Sequence, residues 1–298
     1  MQASSIDINP SVRNGLSAGA GAFFIWGLFP LLMLPLVAVP ATDIAASRCI
    51  TGCLTLLAWL GWRAQLGEVT RVFRQPKLLA RLALSALLLT CNWTIYAWGV
   101  THKEVVLTSL GYFINPLLNV LLGVVVLSER VNRAQWSAVL LASAAVIGLT
   151  LEVGQPPWIS LSLATAFGLY GLVRKTTAVA PMIGLQIETL IMLPLATGYV
   201  WLMQDQLNLM LQPAPVLVVL ALSGIASVVP LTLFNYSAQR INYATVGMLQ
   251  YIAPTMQFVI GLWIYHETLS PTRLACFVAI WLALAIYAGD GWLRGRKR

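Results

Sequence analysis

The stretch GYFINPLLNVLLGVVVLSER, residues 111–130, is apolar enough for a bilayer, yet it carries two asparagines, a proline and a terminal Glu-Arg pair. A second stretch, LQYIAPTMQFVIGLWIYHET at 249–268, has the same make-up. Sliding the chain along itself by 138 residues aligns the two without a gap: Pro116 meets Pro254, Gly123 meets Gly261 and Glu129 meets Glu267. Asn119 meets Gln257, Tyr112 meets Gln250, and upstream Tyr96 meets Phe234. Helical spacing puts Tyr112, Asn115, Asn119 and Gly123 on one face, and Gln250, Ala253, Gln257 and Gly261 on the matching face. An unpaired amide facing lipid costs several kcal/mol. These faces are therefore expected to border a water-filled cavity or to hydrogen-bond between helices. Pro116 and Pro254 each remove one backbone bond and bend their helices, while the glycines permit close helix approach.

A weaker match pairs FIWGLF at 24–29 with GLYGLV at 168–173, which extends the repeat over the whole chain. Hydrophobic residues make up 59% of the 298 and charged residues only 9%, against about 25% charge in soluble domains; mean hydropathy is +0.80. Ten apolar segments are long enough to cross a bilayer: about 16–38, 43–62, 78–100, 105–127, 134–151, 157–173, 181–202, 214–237, 243–265 and 271–292. The expected fold is all-α and polytopic, with ten transmembrane helices in two five-helix repeats, 1–152 and 153–298. Because five is odd, the second repeat is expected upside down relative to the first. Inverted repeats recur in secondary transporters, whose substrate sites lie near the midplane between the halves.

The net charge of +8 is a matter of topology. With the amino terminus inside, every basic residue except Arg48, Lys103 and Arg273 falls in a cytoplasmic segment or at its edge. The positive-inside rule then places both termini in the cytoplasm, and nucleic acid is not an expected partner. The first apolar run is too long for a signal-peptide core and reads as a retained helix. Cys49, Cys53, Cys91 and Cys276 all fall within spans and read as small apolar packers. No metal-ligand spacing occurs, and no cofactor is expected.

Two charges lie inside spans, Arg48 and Glu188. Such residues are costly in lipid and are functional candidates by default. Counting helical rise from the span ends separates them by about 13 Å in depth, too far for a direct salt bridge. Arg48 is expected either to snorkel outward towards Asp43 or Glu104 or to bind substrate. Glu188 is expected to pair with Arg174 or Lys175 or to carry a coupling proton. Glu129 and Glu267, near helix ends on opposite sides of the membrane, read as anchors or latches of a closed gate. His102 and His266 read as interfacial residues. Trp26, Trp93, Trp98, Tyr96 and Tyr170 lie within spans, and Trp26, Asn92 and Tyr96 are candidates for substrate contact; Trp59, Trp62, Trp201 and Trp292 read as belt residues.

The motifs SLGYFINPL (109–117), SER (128–130), NWTIYAW (92–98), YGLVRK (170–175), GLQIET (184–189) and LQYIAPTMQF (249–258) resemble the RarD-type permeases. These belong to the EamA group of the drug/metabolite transporter superfamily. The resemblance is collinear over nearly the whole chain. It implies an inverted five-helix duplication, a bacterial inner-membrane location, and export or exchange of small molecules without ATP hydrolysis. Ser47 stands where the family pattern has histidine, and Thr101 where it has asparagine, so no proton role of that histidine transfers to Ser47. The expected function is secondary transport of small metabolites, amino-acid-like solutes or amphipathic drugs by alternating access. The rivals are a lipid or lipid-linked carrier and a non-transporting membrane scaffold. An enzyme is not expected, since HExxH, paired intramembrane aspartates and a phosphate-binding Gly-rich loop are all missing from the sequence. The expected partners are a small-molecule substrate, the lipid bilayer and, if Glu188 titrates, a coupling proton.

Overall fold

The computed structural model describes residues 9–203, 213–264 and 270–295. Among these residues the chain forms helices and connecting turns, with no strand. Helix α1 (Pro10–Gly27) starts behind Asn9, whose side chain accepts from Ser11 N at 2.9 Å. The expected first span 16–38 is broken. After α1 come the short α2 (Phe29–Leu32) and a 3₁₀ turn at Leu34–Leu36. Pro30, Pro35 and Pro40 account for this interruption, since each removes a backbone donor.

Next come α3 (Ala41–Trp62), α4 (Leu66–Phe73), α5 (Pro76–Thr101), α6 (Val105–Val125) and α7 (Arg133–Val153). The second half holds α8 (Trp158–Thr176), α9 (Pro181–Leu202) and α10 (Ala214–Ala238). It closes with α11 (Tyr243–Gln250), α12 (Ile252–Trp263) and α13 (Pro271–Gly295). Prolines open α5, α9 and α13, where their missing N–H is not needed. Seven helices among the described residues are long and apolar enough to cross a membrane: α3, α5, α6, α7, α9, α10 and α13. Their outward faces stay apolar, as Val218, Leu222, Ile225 and Val229 show along one stripe of α10.

Helix α4 is not among the ten expected segments. It is amphipathic, burying Val69 and Val72 while Glu68, Arg71 and Arg74 remain exposed, as suits a helix lying along a membrane surface. The expected ninth span is split at Tyr251 into α11 and α12, whereas α6 continues through Pro116. Pro254 cannot donate to the carbonyl of Gln250, and α11 ends at that residue.

The starts of α5 and α10, α6 and α11, and α7 and α13 each fall 138 residues apart, as the sequence register requires. These equivalent helices have matching neighbours: α1 packs on α10 as α8 packs on α5. Three equivalent pairs touch each other, and each runs antiparallel. In α7 and α13, Asn132 at one start bonds Asp290 near the other finish at 2.5 Å, while Arg273 pairs with Glu152 at 3.5 Å. In α3 and α9, Tyr199 reaches Asp43 at 2.6 Å at one end, and Gln186 meets Cys53 Sγ at 3.3 Å towards the other. In α6 and α11, Asn119 bonds Gln250 at 2.8 Å, and Glu129 beyond the finish of α6 reaches the start of α11.

Candidate substrate cavity

A cavity of about 540 Å³ enters the bundle between α1, α3, α5, α6, α8, α11 and α12. Its rim includes the α1–α3 connection, where Val37 is 83% exposed, and Val100 at the end of α5. Its wall brings together eight of the sequence-derived candidates: Trp26, Arg48, Asn92, Tyr96, Tyr112, Asn115, Gln250 and Gln257. Asn92 donates to Leu163 O at 3.0 Å, and Gln257 to Trp26 O at 3.3 Å. The Tyr96 and Tyr112 rings lie 6.5 Å apart. Asn115 is buried, and its side-chain oxygen has no hydrogen-bond partner.

Arg48 differs from its expected escape towards Asp43 or Glu104. Its Nε donates to Ser227 Oγ at 2.7 Å, and its guanidinium lies 4.9 Å from the Trp93 ring centroid and 5.3 Å from that of Phe29. Asp43 is instead occupied by the hydroxyl of Tyr199. Trp93 is one of the aromatics that the sequence places within spans, whereas Phe29 and Ser227 are not among the candidates it yields. The Ser223/Ser227 pair, one turn apart within an apolar span, was the signal for the last.

Asn119, Tyr170 and Glu188 do not reach the cavity. Asn119 is fully buried and serves the helix crossing through Gln250. Glu188 lies in a separate, solvent-free cluster: it accepts from Ser85 Oγ at 2.5 Å and Tyr170 OH at 3.3 Å, and pairs with Arg174 at 3.3 Å. Tyr170 in turn accepts from Asn235 at 2.9 Å. Of the two expected partners, the structure selects Arg174. Gly184 makes room for that guanidinium, which a Cβ would overlap. Phe167 stands between cavity and cluster, 5.8 Å from Trp26 and 5.7 Å from Tyr170. A buried pair of this kind is costly to desolvate and strongly destabilising to break on one side only.

The bundle is sealed at the end where α6 finishes and α11 starts. Glu129 accepts the backbone N–H groups of Tyr243 at 2.6 Å and Ala244 at 2.9 Å, capping α11 where its dipole favours an anion. Lys175 adds an ion pair to Glu129 at 3.6 Å and donates to the carbonyls of Ala238 and Ile241. Tyr243 closes the seam by donating to Gly168 O at 2.7 Å. Glu267 and His266 lie outside the described residues, as does the side chain of Trp292. Trp59, Trp62 and Trp201 are exposed near helix ends.

Comparison with known proteins follows this architecture. The EamA-like transporter family matches residues 13–151. An uncharacterized transporter of Pseudomonas aeruginosa is 40% identical over 96% of this chain and 97% of its own. The protein RarD of Streptomyces exfoliatus is 40% identical over 96% of this chain and 91% of its own, and RarD of Escherichia coli 36% over 96% and 97%. A crystal structure of a protein only 16% identical shares the fold, with a TM-score of 0.72 over 93% of this chain and 97% of that one. The matching family and the Pseudomonas aeruginosa relative are named as transporters, and the chain is a multi-pass membrane protein. By sequence kinship over 96% of its length, this chain belongs to the RarD-type permeases of the EamA-like transporter family.

Proposed function

We propose that the protein is a secondary transporter that carries small molecules through the 540 Å³ cavity by alternating access between two inverted five-helix repeats, 1–152 and 153–298. The observation that carries this reading is the asymmetry of the α6 crossing, which is bonded to α11 at one end and borders the cavity with α12 at the other. A repeat related by a two-fold axis in the membrane plane makes equivalent helices antiparallel, which is how α3/α9, α6/α11 and α7/α13 run. Exchanging the roles of the halves turns the sealed end into the open one. The Asn119–Gln250 bond then becomes a Gln257–Tyr112 bond, and the close approach of Gly247 to Pro116 becomes one of Ser109 to Pro254.

The sealed end carries Arg130, Arg133, Arg174, Lys175 and Arg240. The positive-inside rule places it in the cytoplasm of a bacterial inner membrane, so this conformation faces outward. A carrier that takes solute from the inside and releases it here is an exporter. Purified protein in liposomes tests the reading: saturable solute counterflow without ATP supports it, and binding without flux contradicts it.

A lipid carrier is the second reading, favoured by one observation. A further cavity of about 490 Å³ lies between α6, α7, α12 and α13, and shares Pro30, Ser109, Pro254 and Gln257 with the first. Exposed Val105 and Val106 border it. Scrambling of a fluorescent phospholipid in the same liposomes separates the readings.

A further inference from the structure

Arg48 is treated differently from Arg174 and Lys175. Arg174 has Glu188, and Lys175 has Glu129. Arg48 has no carboxylate within ion-pair distance among the described residues. A guanidinium held in a mostly apolar site without a counter-ion is costly. The site is nevertheless built to hold it. Ser227 fixes Nε at 2.7 Å, and the rings of Phe29 and Trp93 hold the plane through cation–π contact. Among the described residues the two terminal nitrogens have no hydrogen-bond partner, and the side chain borders the cavity.

The rest of the wall is neutral. Its polar groups are amides and hydroxyls, no Asp or Glu lines it, and Arg48 is its one charged residue among those described. We infer that Arg48 is the anchor for the carboxylate of a monoanionic organic acid whose apolar body lies among the cavity aromatics. The inference deepens the carrier reading and rests on it for the meaning of the site. A guanidinium presents two parallel N–H groups that match a carboxylate. A dianionic phosphate ester would keep one uncompensated charge in the same place. A cation would meet Arg48 with no acid to pair with. The unpartnered side-chain oxygen of buried Asn115 provides a second contact, for a hydroxyl or N–H donor on the same ligand.

Three probes of one shape test this on the full chain in lipid nanodiscs: 3-phenylpropionate, 3-phenylpropionamide and 3-phenylpropylamine, titrated by calorimetry. The carboxylate is expected to bind about tenfold or more tightly than the amide, and the amine weakest. Equal binding of all three, preference for the amine, or no binding of the carboxylate overturns the inference. Arg48→Gln is expected to abolish the preference, and Arg48→Lys to keep part of it, since the charge survives without the fork; an undiminished preference in folded Arg48→Gln also overturns it. The probe comparison on the unaltered protein stands even if a variant fails to fold. Flux of the same probes in liposomes separates this inference from the carrier reading. Carboxylate-selective binding without flux sinks the carrier and keeps the site, whereas flux of the amine alone does the reverse.

Discussion

The two ends of the α6 crossing are built from matching residues but are not in the same condition. At the sealed end Asn119 bonds Gln250, Glu129 caps α11, and Gly247 lies so close to Pro116 that a Cβ would come within 2.6 Å of its carbonyl oxygen. At the other end Gln257, the counterpart of Asn119, donates to Trp26 O, and Tyr112, the counterpart of Gln250, faces the cavity. Ser109, the counterpart of Gly247, is exposed. One set of contacts is made while its twin stands ready. The proposed alternating access requires such a pair of closures, of which only one is in use at a time.

Removing the sealed end's strongest element has the largest expected effect. Glu129→Ala deletes two charge-assisted bonds to backbone and one ion pair. It is expected to weaken the sealed state by about 2–3 kcal/mol relative to its opposite, roughly a 30- to 150-fold population shift. Accessibility of a cysteine placed at Asn242 measures it. Asn119→Leu removes the buried donor of the Gln250 carbonyl oxygen, and is expected to lower stability by about 1–3 kcal/mol in thermal unfolding. Gln257→Leu, the same change at the twin position, sits at a wetted wall and is expected to cost less than about 0.5 kcal/mol. Equal losses from these two substitutions would erase the distinction between the ends. Smallest of all in stability is Ser109→Leu, within about 0.5 kcal/mol because the side chain enters open space. It is nevertheless expected to stop flux in liposomes, since Ser109 must approach Pro254 when that end closes.

The 138-residue register of helix starts was legible because backbone demands leave marks in sequence. Pro116, Pro254, Gly123 and Gly261 hold positions that few other residues can fill, and helix starts follow them 138 residues apart. The cavity was legible through polar residues that lipid forbids, which is why Asn115, Gln250 and Gln257 reach its wall. Depth was not legible. Asn115 and Asn119 share a helix face, and only packing decides that the first meets the cavity while the second is closed over by α11. The same holds for Glu188, whose burial behind Phe167 depends on neighbours in α5, α8 and α10. The partners of Arg48 come from three elements distant in sequence, and no local pattern joins them.

The central claim is that the two closures exclude each other. Spin labels at Arg130 and Asn242 span the sealed end, and labels at Lys103 and Ile264 span the open one. Pulsed electron spin resonance in nanodiscs should show Glu129→Ala lengthening the first distance while shortening the second. Lengthening at both ends, or change at one end alone, would contradict the account.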